Sequence, residues 1–361
     1  MARIDHIETG FYRIPLPRPV EDARHGVQAG FEIVTVRIRD ADGAEGVGYT
    51  FTNNRGGAAI HACMQAEVAP VALGQDANGI EALWQKLWWA MHYGGRGGSQ
   101  VMALSAFDIA LWDLKAVRAG LPLWKLLGGF DASVPAYAGG IDLDLSPDEL
   151  VAQTEGNIAK GFRAVKMKVG RANLAEDVAK LKAMREAFGD AFPIKIDANM
   201  KYTVDEAVRA ARAFALHQPL WFEEPIDTED MQGHAIVRRD GGLPVAAGEN
   251  MRTLQDFRTL IENGVTFPEP DVTNCGGVTA FMKIAHLAEA HGLPVTSHGA
   301  HDITVHLLAA IPNRSYLEAH GFGLDSYIAA PLSISDGRAV APDNPGHGMA
   351  FDWTALEAQR A

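Results

Sequence analysis

Only two cysteines, Cys63 and Cys275, occur in 361 residues. That excludes a disulfide framework and a cysteine-built zinc site. Basic residues are also in deficit: 32 Lys and Arg against 45 Asp and Glu leave a formal net charge of −13. A chain so acidic is not a general binder of nucleic acid or anionic membrane, because phosphate binding needs a basic surface. No apolar run is long enough to span a bilayer, and the first residues, "MARIDHIETG", lack a signal-peptide core. The expectation is a cytoplasmic soluble protein. No G-x-G-x-x-G follows an early strand, and neither G-x-x-x-x-G-K-[ST] nor H-E-x-x-H occurs. The glycine-rich "YGGRGGSQ" has no strand before it and reads as a loop.

What is present is a change of texture near Gly129. Before it, "FEIVTVRIRDADGAEGVGYTF" reads as two strands around a turn at Asp40–Gly43, preceded by the aperiodic "PLPRPVEDARHGVQAG". From about Ala58 to Gly120 the spacing turns helical, so residues 1–128 form an α+β unit. After Gly129, eight short β-rich runs alternate with amphipathic helical runs: "VPAYAG", "AVKMKV", "PIKIDA", "LWFEEP", "PVAAGE", "VTFPEPDV", "PVTSH" and "SYLEAH". Eight strands separated by single helices predict a parallel sheet closed into a (β/α)8-type barrel over 129–328. A doubly wound open sheet is the competing arrangement. Residues 329–361 read as strands and turns packing back on the first unit.

The strand ends carry the chemistry. Lys166 and Lys168, Asp197, Glu223, Glu249, Asp271, His298 and Glu318 close seven successive strands, and from Lys168 onward they stand 20 to 29 residues apart. Active sites of barrels form at the C-terminal ends of the strands. A single acid there is usually a helix N-cap; seven strands in register exceed what capping explains. Asp197, Glu223 and Glu249 converge, and together they suit a hard divalent cation such as Mg²⁺. Zinc would favour His or Cys ligands.

The two lysines of "KMK" alternate with Met167, so both face one way, about 6.6 Å apart. At an effective dielectric near 20 they repel by about 2.5 kcal/mol, which depresses a lysine toward roughly 8–9 and makes it a candidate base. A solvated surface strand and a Schiff-base lysine are the alternatives; three convergent carboxylates fit the second poorly. Asp271 beside His298 would orient an imidazole as a second acid/base. Glu318 would donate to an enolate oxygen if protonated, and would be structural if ionised. Such a set removes the proton next to a substrate carboxylate from either face and stabilises the enediolate.

The motifs "KMK", "IDAN", "FEEP", "AGEN", "PDVTNCGG", "SHG" and "YLE", with "SAFDIALWDLKA" before them, resemble the enolase superfamily, mandelate racemase subgroup, over essentially the whole chain. A Lys or His base with Mg²⁺ on an enediolate is the known chemistry of that superfamily. The resemblance implies a modified (β/α)7β barrel under an α+β capping domain. It assigns Asp197, Glu223 and Glu249 to Mg²⁺, Lys168 and the Asp271–His298 dyad to acid/base work, Lys166 to the substrate carboxylate and Glu318 to the enolate. The muconate-lactonising subgroup would show a lysine on the sixth strand; "EPDVTNCGG" has none. Specificity would come from capping loops 20–30 and 50–57, whose Arg24, His25, Asn53 and Arg55, with Asn199, offer polar contacts to a polyhydroxy acid. Solvated loop cations are the alternative for Arg24 and Arg55. "DARHG", "YGGRGG", "AYAGGIDL" and "RAVAPDNPGHG" are most similar to 3,6-anhydro-galactonate cycloisomerases, then to galactarate and talarate dehydratases. A racemase or epimerase of a 2-hydroxy acid, and a non-catalytic carboxylate-binding barrel, remain as alternatives. Relatives commonly assemble, so a homo-oligomer is expected.

Overall fold

The computed structural model describes residues 2–320 and 324–361. Three antiparallel strands open the chain: β1 (Ile4–Asp22), β2 (Gly26–Asp40) and β3 (Glu45–Thr52), in the order β1-β2-β3. The segment that looks aperiodic in sequence is in fact the end of β1 and the start of β2. Prolines at 15, 17 and 19 hide its alternation, and the β1–β2 register shifts between Pro15 and Val20. Proline removes a ladder donor, so a strand that carries three tolerates them only with such an irregularity.

Both faces of this sheet are covered. Val34, Val36 and Ile38 of β2 join Met64, Leu83, Phe107 and Leu111 in one core, while Ile33 and Tyr49 join the barrel core. That double burial explains the near-continuous apolar run "FEIVTV". The long helix Ser99–Ala119 lies so close to β3 that a Cβ on Gly48 would stand 2.1 Å from the carbonyl oxygen of Ala106. Gly48→Ala is therefore expected to destabilise the chain by about 1–3 kcal/mol, read as a lower denaturant midpoint at unchanged slope. An unchanged midpoint would remove the close-packing explanation.

Eight parallel positions follow, separated by seven helices: β4 (Ser133–Gly139), β5 (Val165–Lys168), β6 (Ile194–Asp197), β7 (Phe222–Glu223), β8 (Val245–Ala247), β9 (Phe267–Pro268), the stretch 295–297, and β10 (Leu317–Ala319). The seventh is not a regular strand. Its Thr296 N–H donates to Pro268, its Val295 carbonyl accepts from Ser315, and β10 then pairs with β4 to close the ring. This is the modified (β/α)7β barrel. Among the described residues the eighth strand has no helix of the repeating kind after it. Instead β11 (Ile334–Ser335) and β12 (Arg338–Val340) pair antiparallel with each other and add onto β4. Only then does the tail reach the first unit, where His347 Nε2 lies 2.8 Å from the Val47 carbonyl and Ala361 N–H donates to Phe11.

One buried carboxyl joins the two units. Asp108 on the long helix accepts from the Thr279 N–H (2.8 Å) and hydroxyl (2.7 Å), and burial pushes its pKa up to about 7. A carboxyl raised in this way makes the folded state bind a proton more tightly than the unfolded chain. Its stabilisation is full below pH 4 and is lost as pH rises through 7. Wild-type protein should therefore lose more stability between pH 5 and 8 than Asp108→Asn, measured by denaturant titration at each pH. Parallel pH profiles would refute the assignment.

Candidate active site

Period-two alternation in the barrel strands sorts the inward side chains into layers. The lower layer is an aromatic floor of Tyr137, Trp221, Phe267 and Tyr316. Lys195 stands inside it, with Nζ 3.6 Å from the Tyr316 ring centroid, 4.4 Å from Tyr137 and 5.2 Å from Trp221. Burial drives that amine well below the usual lysine range. Two residues further along their strands stand Asp197 on β6, Glu223 on β7 and Glu318 on β10, and register sets Lys168 of β5 level with Asp197. Lys166 points up from β5 as well, and register pairs Lys168 with Asp197 and Asp197 with Glu223.

Asp197, Glu223 and Glu249 each offer one oxygen within 4.8 Å of the others, and all three are buried. Three carboxylates this close repel one another unless a cation lies between them. In this structure the lysines take that part. Lys166 Nζ contacts Glu223, lies 3.2 Å from Asp197 and 2.7 Å from Glu318, while Lys168 Nζ bonds Asp197. Burial opposes charge on Asp197, but Lys168 and Lys166 override it and hold the carboxyl well below its usual range. Burial and the neighbouring carboxylates raise Glu223 to about 8, against the pull of Lys166. Among the described residues the buried Oε2 of Glu249 accepts no hydrogen bond and has only His298 Nε2 near it, at 3.3 Å. Three carboxylates within one ion's reach, with no nitrogen or sulfur ligand among them, fit a hard divalent cation.

The lysine pair corrects the sequence reading. Burial lowers both ammoniums, yet Glu223 and Glu318 lift Lys166 well above its usual range, and Asp197 lifts Lys168 above its own. Repulsion between the two is outweighed because each has a carboxylate in direct contact, closer than the other lysine. A dication among the acids would relieve Lys168 of that anionic hold.

Across the cavity His298 Nδ1 lies 2.9 Å from Asp271, and Nε2 lies 3.3 Å from Glu249 and 3.9 Å from Glu318. Asp271 is itself fixed by the Thr273 N–H and hydroxyl, both at 2.7 Å. Burial opposes the imidazolium, but Glu249 and Asp271 prevail and raise His298 to about 10. Glu318 is ionised here: burial resists the charge, while His320 and Lys166 hold it well below the carboxylate range.

The cavity above these groups measures about 610 Å³. His25, Asn53, Arg55 and Asn199 line it, together with Lys166, Lys168, Glu249, His298 and Glu318. Arg24 does not. It sits at the β1–β2 turn and faces a neighbouring depression with Arg171 and Lys201. At that turn Asp22 accepts from the backbone N–H groups of Arg24 and His25 and from Gln28, and its second oxygen lies 3.0 Å from the His25 ring. The bond to Asp22 keeps His25 above the ordinary imidazole range. Sequence reasoning missed His320, whose Nε2 is 3.1 Å from Glu318. Period two from Glu318 on the same strand was the signal for it. Gln28, Asn250, Arg252 and Asn274 also line the cavity, and no spacing rule pointed to them.

Two family descriptions match this chain: the mandelate racemase/muconate lactonizing enzyme N-terminal domain over residues 7–128, and the enolase C-terminal domain-like family over residues 149–355. The chain belongs to the enolase superfamily. Within it, the chain is 53% identical over 354 residues to the 3,6-anhydro-α-L-galactonate cycloisomerase of Streptomyces coelicolor, covering 98% of each. It is 37% identical to the L-talarate/galactarate dehydratase of Salmonella typhimurium, covering 99% of this chain and 92% of that one. Among solved structures, a racemase from Streptomyces coelicolor with bound magnesium superposes with a TM-score of 0.97 at 51% identity, covering 99% and 100%. The Salmonella dehydratase liganded with Mg and L-lyxarohydroxamate superposes at 0.95 with 36% identity, covering 99% and 93%.

Proposed function

We propose that this chain is a Mg²⁺-dependent enzyme that abstracts the proton α to the carboxylate of an acid sugar and opens a 3,6-anhydro ring. The observation that carries the reading is one cavity lined by Lys168, Glu249 and His298, with Asp197 and Glu223 clustered behind Glu249 and Asp271 behind His298. Asp197, Glu223 and Glu249 would hold the ion, which supplies positive charge for the substrate carboxylate and its enediolate. Lys166 bounds the same space and would hold the substrate carboxylate, and Glu318, ionised here, would donate to the enolate oxygen only after taking up a proton. Lys168 or His298 takes the C2 proton, according to which face presents it.

The second step follows from the leaving group. As the C2–H bond breaks, the C3–O bond breaks too, its electron pair stays on oxygen, and a C2–C3 double bond forms. When that oxygen is tied to C6, nothing departs and the enol product is an isomer of the substrate. When it is a free hydroxyl, water is lost. One site with one first step therefore serves a cycloisomerase or a dehydratase. The 53% identity to a cycloisomerase favours the former, and the 37% identity to a talarate/galactarate dehydratase supports the latter as the second reading. His25, Asn53, Arg55 and Asn199 would meet the substrate hydroxyls.

The same reading takes residues 1–128 as the cap, 129–328 as the barrel and 329–361 as a returning segment. It places the protein in the cytoplasm as a homo-oligomer without nucleic-acid or membrane partners. Among the described residues no helix is long and apolar enough to cross a membrane. The test is incubation with 3,6-anhydro-galactonate, galactarate and talarate in D₂O with Mg²⁺, followed by product analysis. A ring-opened 2-keto acid isomeric with the substrate, carrying solvent deuterium at C3 from ketonisation of the enol, is expected from the first, with deuterium at C2 only in recovered substrate. No exchange with any of the three, at saturating metal, would favour a binding barrel.

A further inference from the structure

The loop between β4 and the next helix carries a buried carboxylate, Asp142, that the chemistry above does not use. Its Oδ1 accepts the backbone N–H of Lys168 at 2.8 Å, and its Oδ2 accepts from Gln153 at 2.8 Å. Lys180, 1% exposed, reaches in from the helix Leu174–Phe188. Its ammonium bonds the Asp142 carbonyl at 3.0 Å and the Leu143 carbonyl at 3.4 Å, and it touches the Lys168 carbonyl at 3.5 Å. Both backbone polar groups of Lys168 are thus held, its N–H by the Asp142 carboxylate and its carbonyl by the Lys180 ammonium. Just beyond, Asp177 accepts from the Gly170 and Arg171 N–H groups. The same loop is tied to the cap, since Leu143 N–H donates to the Glu21 carbonyl beside Asp22. Ala23 packs against Gly170, where a Cβ would stand 2.8 Å away.

Such an arrangement is costly unless the position matters. Burying two charges is at best neutral for stability, and apolar side chains would fill the same space more cheaply. Lys168 sits at the last residue of β5, where ladder bonds end and a strand tip is otherwise free to move. A misplacement of 1 Å at a reacting group costs roughly a hundredfold in rate.

We infer that Asp142 and Lys180 are positioning residues: they aim Lys168 at the substrate α-carbon and lock its strand end to the cap hairpin. This rests on the proposed role of Lys168 as the base for one face. Two readouts separate the clamp from that role. The first is amide hydrogen exchange at the Lys168 N–H, which needs no substrate. Asp142→Ala should accelerate it at least about tenfold, with amides of β8 unchanged. Asp142→Asn, whose amide oxygen still accepts that N–H, should stay near wild type. The second is α-proton exchange in D₂O with acid-sugar epimers that present hydrogen to opposite faces. Asp142→Ala should slow exchange on the Lys168 face by about ten- to a hundredfold and leave the His298 face within twofold, and Asp142→Asn should recover most of it. Lys180→Met, which keeps the carboxylate, should reproduce both effects should Asp142→Ala fail to fold. Unchanged amide protection at Lys168, or equal losses on both faces, would overturn the inference. Wild-type protein that exchanges no acid ends the catalytic reading alone, and the amide measurement still decides whether the clamp exists.

Discussion

Replacing Glu249 by glutamine, or stripping divalent cations with a chelator, is expected to lower turnover by at least about a thousandfold. The substitution keeps shape and removes one charge of the trio. A hard dication binds a neutral amide oxygen far more weakly than a carboxylate, and three anionic oxygens are what the site offers. Glu249 is the informative member, because Asp197 and Glu223 also bond the lysines and their loss would disturb both charges together. Titration calorimetry should show Mg²⁺ affinity falling in Glu249→Gln, and added Mg²⁺ should restore the chelated wild type but not the variant. Turnover that survives complete chelation would end the metal assignment.

Lys168→Met and His298→Asn should each remove exchange at one face by about 10²- to 10⁴-fold and leave the other face largely intact. The reason is geometric. Lys168 reaches the cavity from β5, and His298 reaches it from the stretch before the helix His301–Ala310, with the acids between them. The two bases also have different partners. Asp271 fixes the ring of His298 through Nδ1, while Glu249 beside Nε2 helps hold it protonated, so it becomes a base only when that carboxylate has another cation to face. Lys168 is held protonated by Asp197 and becomes a base only when that carboxylate has another cation to face. Raising the Mg²⁺ concentration should therefore help exchange on both faces at low saturation, since a proposed metal ligand holds each base protonated. Identical behaviour of the two variants on both epimers would mean that one base does all the work.

Much of this was legible because parallel barrel strands are buried on both sides. In such strands a lysine or carboxylate stands out against valine and isoleucine, and the recurrence of one polar residue per βα unit reported the level at which they meet. Pairing of Lys168 with Asp197 and of Asp197 with Glu223 follows from that recurrence. Other residues were hidden for identifiable reasons. The hairpin of the cap was masked by its prolines. "PVTSH" contributes only a bridge between Val295 and Arg314, since its hydrogen bonds go to Pro268 and to the chain before β10 rather than to a regular ladder. Lys195 and Glu269 looked like ordinary members of "PIKIDA" and "VTFPEPDV", and burial alone makes them exceptional.

By itself the sequence determined the order of elements, the class of barrel and the set of inward polar residues, because each depends on period and spacing along one strand or helix. Tertiary structure decided the balance of charge on Lys166 and Lys168. It also decided that Arg24 faces away while His25 faces in, and it brought His320 and Asp142 into contact with Glu318 and Lys168. Those outcomes turn on distances between residues far apart in the chain, and Coulomb energy and hydrogen bonding depend on distance in space, which no local pattern records.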